Sequence, residues 1–276
     1  MNERAFRFGV VAATAETGAA WTATARRAEE LGFDSLLVPD TRNTLSPFPA
    51  LAAAGVTTST LRVGSYVLSV PNRSPGLVAW ETETLQLLTG GRFELGLGGG
   101  RPGADRDAEA LGSTFGTPAE RLRRVEDTIS AVRKTGTPPK IMVAASRPRM
   151  LRLAAEHADI VALGLPPQAT EEELAAAVST LRDAAGARFG ELELHLNTVA
   201  VAGRVDAIPE WVSRMTGGGD ARAMANAGGI AFLLGTPTEI ADTLLRRRET
   251  YGVSYLAVGA MFAEHLAPVI ERLRDR

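Results

Sequence analysis

The stretch Leu87-Leu88-Thr89-Gly90-Gly91-Arg92-Phe93-Glu94-Leu95-Gly96-Leu97-Gly98-Gly99-Gly100-Arg101 holds the end of one element, a turn, a second element and the loop beyond it. Upstream, Pro75 to Leu88 reads as a helix, and the Gly90-Gly91 pair closes it, because glycine tolerates the left-handed backbone in which helices commonly end. Phe93 to Gly98 is then an apolar run of strand length. A glycine-closed helix followed at once by a strand of buried type is the half-unit of a chain that alternates helix and strand around a parallel sheet.

Working outward, the same alternation fills the chain. Toward the N-terminus, Arg7 to Ala12, Ser35 to Asp40 and Arg62 to Leu68 read as strands, with helices at Ala19 to Leu31 and Pro47 to Thr57. In the first of these helices Trp21, Ala25, Ala28 and Leu31 are spaced for one buried face, and Gly32 stops it. Toward the C-terminus a long polar segment, Gly99 to Thr117, precedes a helix from Pro118 to Lys134 that Thr117 and Glu120 open as a capping box. Lys140 to Ala145, Asp159 to Gly164, Glu193 to Val201 and Tyr255 to Gly259 are the remaining strands. Helices are expected at Arg147 to His157, Thr170 to Phe189, Thr238 to Tyr251 and Ala263 to Arg274. Asp206 to Gly229 is the least regular part, and its Gly217-Gly218-Gly219 run marks a candidate mobile lid. Eight strands and eight helical segments predict one (β/α)₈ TIM barrel spanning residues 1–276, with an open doubly wound sheet as the alternative.

Composition narrows the function classes. The 276 residues suit one barrel, which takes about 250. With 45% hydrophobic and 22% charged residues and a net charge of -2, no basic block points to nucleic acid or an anionic membrane. No cysteine is present, which removes disulfides, thiolate metal sites and cysteine nucleophiles together. Neither a signal peptide nor an apolar run near the ~20 residues of a membrane span is seen, so a cytoplasmic protein is expected. Only Lys134 and Lys140 are lysines, against 28 arginines, a bias that suits a high-GC bacterial genome. It also leaves no lysine at a strand end for an aldolase-type mechanism.

In a barrel of this kind the chemistry sits just beyond the C-terminal ends of the strands. Those positions hold Thr14 and Glu16, Asp40 to Arg42, Tyr66 and Ser69, Gly98 to Arg101, Ala145 to Arg147, Gly164, Asn197 and Gly259. They contain no histidine and carboxylate cluster at metal spacing, so no metal site is predicted. Gly96 to Gly100 would let a flat or phosphorylated ligand approach the backbone, with Arg101 supplying charge; a plain glycine-rich turn is the other reading. The long polar loop that follows argues against a dinucleotide fingerprint, which needs a helix opening on the last glycine. Ser146-Arg147-Pro148-Arg149 reads as a helix start capped by Ser146, and either a phosphate site or an ordinary capped helix fits it. His157 and His265 stand at helix ends, whereas His195 lies within a strand and faces either the lumen or the helices. No catalytic acid or base is identified.

Taken in order, these motifs resemble the luciferase-like oxidoreductases, which include FMN-dependent monooxygenases and enzymes dependent on the deazaflavin coenzyme F420. The marks are Ala28-Glu29-Glu30-Leu31-Gly32-Phe33-Asp34-Ser35 leading to Val38-Pro39-Asp40, and Leu87 to Gly98. Further marks are Glu120-Arg121 with Glu126, Ala154-Ala155-Glu156-His157-Ala158-Asp159, and Leu234-Gly235-Thr236-Pro237-Thr238-Glu239-Ile240. The resemblance implies a cofactor ring against Asp40, Tyr66, Val67, Gly98, Gly99 and Gly100, with Arg101 lining the pocket. It places the phosphate by Ala145, Ser146 and Gly164, and a non-proline cis peptide within Tyr66 to Ser69. Arg92, Arg121, Glu126 and Asp159 are read as ion-pair and cap positions. The family's deazaflavin branch is the better match, implying hydride transfer between F420 and a small organic substrate. An FMN monooxygenase and a non-catalytic flavin-binding barrel are the alternatives. Thr41 stands where many deazaflavin enzymes carry histidine, and Arg101 stands where the sugar-phosphate branch carries an acid, so sugar-phosphate oxidation is not expected. The chain is short for the family, which implies a reduced lid, and homodimer formation is left open.

Overall fold

The structure is a computed structural model, and it describes residues 4–274. Among the described residues, eight strands form a closed parallel wall: β1 (Arg7–Val11), β2 (Ser35–Val38), β3 (Arg62–Ser65), β4 (Phe93–Gly98), β5 (Lys140–Ala145), β6 (Ile160–Leu163), β7 (Glu193–Thr198) and β8 (Val253–Gly259). Closure is explicit in the register, because β1 pairs with β8 from Arg7↔Tyr255 to Val11↔Gly259 while β3 pairs with β4 through Val63↔Phe93. That pairing excludes the open doubly wound sheet. The third strand breaks off after Ser65 and resumes as Leu68–Ser69, which pairs with Leu97 and Gly98 of β4. Among the described residues no helix is long and apolar enough to cross a membrane.

Helices start where local chemistry starts them. Capping boxes open the helices at Pro118–Arg133, Glu171–Ala185 and Pro237–Tyr251, each pairing a threonine with a glutamate three residues on. Thr17 and Ser74 cap two more with single side-chain bonds.

Three expectations need correction. The segment 99–117 is not wholly irregular, since Ala104–Ala110 forms a short helix; its sequence is mostly charged, and only Ala104 and Ala108 are buried, too little for a visible stripe. The seventh strand ends at Thr198 rather than Val201. Ala200–Ala202 instead leaves the barrel and pairs in parallel with Phe232–Leu234 in a separate two-stranded sheet, a departure hidden because both pieces are buried and apolar. Between these two strands the chain forms short helices at Val212–Met215 and Ala221–Asn226.

The core has two parts. A large one fills the space between wall and helices, and a smaller one fills the lumen with Leu37, Met142, Ile160, Ala162, Tyr255 and Ala257. Below it, at the N-terminal end of the barrel, Arg7 donates to both oxygens of Glu94 (2.8 and 2.9 Å) and to Glu193 (2.8 Å), while Arg62 donates to Glu94 at 2.6 Å. Arg7 also lies 4.4 Å over the ring of Tyr255. Burial opposes its charge, yet Glu94, Tyr255 and Glu193 outweigh that and hold its pKa above the ordinary arginine value. Removing one member of such a cluster strands the others.

Glu94→Gln is therefore expected to destabilise the fold by about 3 kcal/mol, the cost of breaking a buried pair. Urea denaturation reads this directly, and an unchanged midpoint would show the plug to be dispensable.

Candidate functional site

The C-terminal end of the barrel opens into a cavity of about 770 Å³. Its wall comes from five consecutive strand ends, and the ten residues that the resemblance put around a cofactor stand in it, whereas Thr14, Glu16, Arg42, Gly96, Asn197 and Gly259 do not. Asp40 follows β2; Tyr66 and Val67 follow β3; Gly98, Gly99, Gly100 and Arg101 end β4; Ala145 and Ser146 end β5; Gly164 follows β6. Leu122 and Met150 complete the wall from the helices after β4 and β5, and sequence alone gave no sign of them. Helix rotation against a wall is set by packing, which no local motif reports.

Asp40 is committed within the protein. Its Oδ2 accepts from Ser69 N (3.0 Å), Asn72 Nδ2 (3.2 Å) and Arg73 Nη1 (2.7 Å), so it ties the turn after β3 to the end of β2. Within that turn the Tyr66–Val67 peptide is cis, in the stretch where the resemblance placed one. Ser69, one of the strand-end positions named from the sequence, has a buried Oγ with no hydrogen-bond partner.

Packing inside the protein also constrains the glycine run at the end of β4. A Cβ on Gly98 would lie 2.7 Å from Val67 Cγ2, and one on Gly96 would strike the carbonyl of Ser65. Both glycines make room for the broken third strand. Gly100 has φ +93° and abuts Phe115, so its conformation explains it. Gly99 alone of the four could carry a Cβ without crowding, meeting Met150 Cε at 3.5 Å and Arg121 Cβ at 3.9 Å in ordinary contact.

Ser146 does not cap the following helix, as the sequence had suggested. The helix begins at Pro148, so the extended N-cap residue is Arg147, and no side chain caps the first turn. Arg147 and Arg149 line the cavity mouth beside this turn. The positive end of the helix dipole, two arginines and uncapped N–H groups together favour an anion there. Arg101 is less free than expected, since it pairs with Asp107 at 3.0 Å. Arg121 donates to Gly116 O at 2.7 Å and covers the Phe115 ring at 4.1 Å, which pins the segment before its helix.

His195 resolves toward the lumen. It is fully buried between the rings of Tyr66 (5.1 Å) and Tyr255 (4.7 Å), and neither ring nitrogen has a partner. Burial, reinforced by the Arg7 charge, pushes its pKa down to about 3, so it is a neutral imidazole at physiological pH. Burial also pushes the Tyr66 phenol well above its usual range. His157 and His265 stand outside the cavity wall. Among the described residues no group of His, Asp and Glu could hold a metal ion. The site thus offers a flat glycine-lined plate, apolar walls and an anion-binding end, with no nucleophile and base pair of its own.

Comparison with known proteins agrees with this architecture. Residues 6–137 and 132–254 match the luciferase-like monooxygenase family. A 5,10-methylenetetrahydromethanopterin reductase of Archaeoglobus fulgidus is 30% identical over 154 residues, 48% of this chain and 45% of the relative. An F420-dependent glucose-6-phosphate dehydrogenase of Intrasporangium calvum is 33% identical over 124 residues, 42% of this chain and 37% of the relative. The matched stretch thus spans less than half of either relative's length. In fold, the F420-dependent tetrahydromethanopterin reductase of Methanopyrus kandleri superposes with TM-score 0.72 at 18% identity, covering 98% of both chains. The EDTA monooxygenase of a Chelativorans species gives 0.71 at 13% identity, covering 98% of this chain and 94% of the other.

The two glycines of the plate are expected to respond oppositely to a methyl group. Gly98→Ala overpacks against Val67 and should cost about 1–3 kcal/mol, whereas Gly99→Ala should stay within about 0.5 kcal/mol of the parent in thermal or urea unfolding. Equal effects would overturn this division of roles.

Proposed function

Because the chain belongs to the luciferase-like monooxygenase family, we propose that its cavity binds the deazaflavin coenzyme F420 in preference to FMN and that the protein is a cytoplasmic reductase or dehydrogenase acting on a small organic molecule. The observation that carries this reading is the pairing, in one cavity, of an open backbone plate at Gly99 with an uncapped, arginine-flanked helix start at Pro148. The residues present fit such a group. A planar ring needs a wall without side chains, a phosphate needs N–H donors and positive charge, and the unpartnered Ser69 hydroxyl is a polar group left for a ligand.

When bound, a deazaflavin supplies a hydride donor or acceptor that reacts poorly with oxygen, whereas FMN also supports oxygen chemistry. Gly98, Gly99 and Gly100 would hold the ring face together with Tyr66 and Val67, and Asp40 would fix the turn that carries them. Ala145, Ser146 and Gly164 would take the phosphate end, with Arg147 and Arg149 neutralising its charge. Tyr66 and His195 stay neutral at physiological pH, so the protein's part is to orient, shield and exclude water. Relatives named for F420 and for methanopterin support the deazaflavin; Thr41 after Asp40 and the monooxygenase neighbour in fold favour FMN as the second reading.

The working unit is proposed to be a homodimer. Leu77, Trp80, Leu87 and Leu88 form an exposed stripe on the helix Pro75–Leu88, with Trp80 69% and Leu87 82% exposed, and Val56 extends it from the neighbouring helix. The helix Pro47–Val56 carries no charged residue and its neighbour only Glu81 and Glu83. A second copy could therefore meet this face with little like-charge repulsion, which a strongly charged partner could not match.

Two measurements test these readings. Parallel titration of the protein with F420, FMN and riboflavin should show F420 binding tightest. Arg147→Ala should weaken both phosphorylated ligands by about 1.5–3 kcal/mol while sparing riboflavin; tighter FMN binding with oxygen-dependent turnover would reverse the cofactor assignment. In sedimentation the parent should run as a dimer and Trp80→Glu/Leu87→Glu as a folded monomer, and a dimer that survives the double substitution would exclude this face.

A further inference from the structure

We propose that the Ser69 hydroxyl hydrogen-bonds the polar pyrimidine edge of the cofactor ring, the edge that flavins and deazaflavins share. The inference rests on the reading of the cavity as a flavin-type site.

Ser69 is 6% exposed and lines the cavity, and its Oγ has no hydrogen-bond partner. A buried hydroxyl left unpaired is unfavourable, so native structures seldom keep one without a use for it. No group of the protein satisfies it: Asn72 Oδ1, an acceptor of the same turn, is likewise buried without a partner. The nearby donors of its own turn, Ser69 N, Asn72 Nδ2 and Arg73 Nη1, are all spent on Asp40. Those bonds also fix the Ser69 backbone, so only side-chain rotation remains to aim the hydroxyl.

The neighbouring wall leaves the hydroxyl open to a ligand. An ideal Cβ on Gly100 would sit 3.2 Å from Ser69 Oγ, and the φ of +93° at Gly100 disfavours any other residue there. A side chain at that position would cover the hydroxyl. The other serine and threonine hydroxyls of the wall differ: Thr41 Oγ1 is bonded to Thr44, and Ser146 is exposed. Ser69 is the dry, unpaired one.

Position around the wall selects the ring over the tail. The anion-favouring helix start follows β5 and lies beside Gly164 after β6, whereas Ser69 ends the third strand. Strand spacing of about 4.8 Å puts about 10 Å along the wall between the end of the third strand and that of the fifth, which the helix start follows. A ligand whose phosphate occupies the far end therefore presents its ring system at Ser69. On that ring the pyrimidine edge carries the carbonyl and imide groups in flavins and deazaflavins alike, whereas the benzenoid edge differs between them, methylated in FMN and hydroxylated in F420.

The test uses the full chain, FMN and 5-deaza-FMN, which differ only at position 5 of the ring. Ser69→Ala should bind each about tenfold more weakly than the parent, with equal losses. Without ligand its thermal midpoint should be unchanged or higher, because an unpaired buried hydroxyl has been removed. A loss confined to FMN would move the contact to position 5, and no loss with either ligand would remove Ser69 from the ring site; both overturn the proposal. A lower midpoint without ligand would assign the hydroxyl a structural role and overturn it as well. If the parent binds neither of these ligands nor F420, the flavin reading itself falls, a pattern distinct from selective loss in the variant.

Discussion

Asp40 Oδ2 gathers three donors from the turn after the third strand: a backbone N–H, an amide and a guanidinium. Charge-assisted hydrogen bonds of this kind are stronger than neutral ones, and both partners of the ion pair are largely shielded from water, with side-chain exposures of 6% for Asp40 and 13% for Arg73. The cavity depends on this knot. The third strand stops pairing at Ser65 and needs an anchor on β2 to bring Leu68 and Ser69 back against β4. Once anchored, it drives Val67 into the space that Gly98 leaves vacant. Cavity shape is thus a joint property of one carboxylate and the glycines of β4. Glu81 stands behind the knot, 3.9 Å from Arg73, and burial raises its pKa against the pull of that arginine.

Much of the fold was legible because its signals are local. Capping boxes at Thr117 and Thr236 involve residues three apart, and strand-length apolar runs mark the wall whatever their partners. Closure was a different matter. The β1 to β8 pairing joins residues nearly 250 positions apart, as Arg7↔Tyr255 does, and only the count of eight strands and eight helices, with the resemblance to a family, implied it. The lost detail was in segments where periodicity carries no contrast, such as the Ala200–Ala202 strand that continues an apolar run and the acidic helix Ala104–Ala110.

The site was legible in position and less so in reason. Strand ends converge in any such barrel, so the ten residues nominated around a cofactor share one cavity. Yet the glycines of β4 mostly answer to Ser65, Val67 and Phe115, contacts that arise only when the third strand breaks. The cap moved by one residue because Pro148 fixes the first helical position and leaves Arg147 as the extended residue before it. His195 was ambiguous for the simplest reason: alternation gives two faces, and only the finished barrel says which is inside.

The cavity wall uses the ends of β2 to β6 and takes nothing from β1, β7 or β8 among the described residues. The excursion between Ala200 and Leu234, with its own two-stranded sheet, hangs from the unused side. The barrel is thus divided into a half that carries the cavity wall and a half that does not. Drift, insertion or wholesale exchange of the excursion can reshape what enters the barrel mouth without touching the knot at Asp40 or the plate at Gly99. One scaffold can in this way diversify across many reactions while inheriting a single ligand-holding half intact.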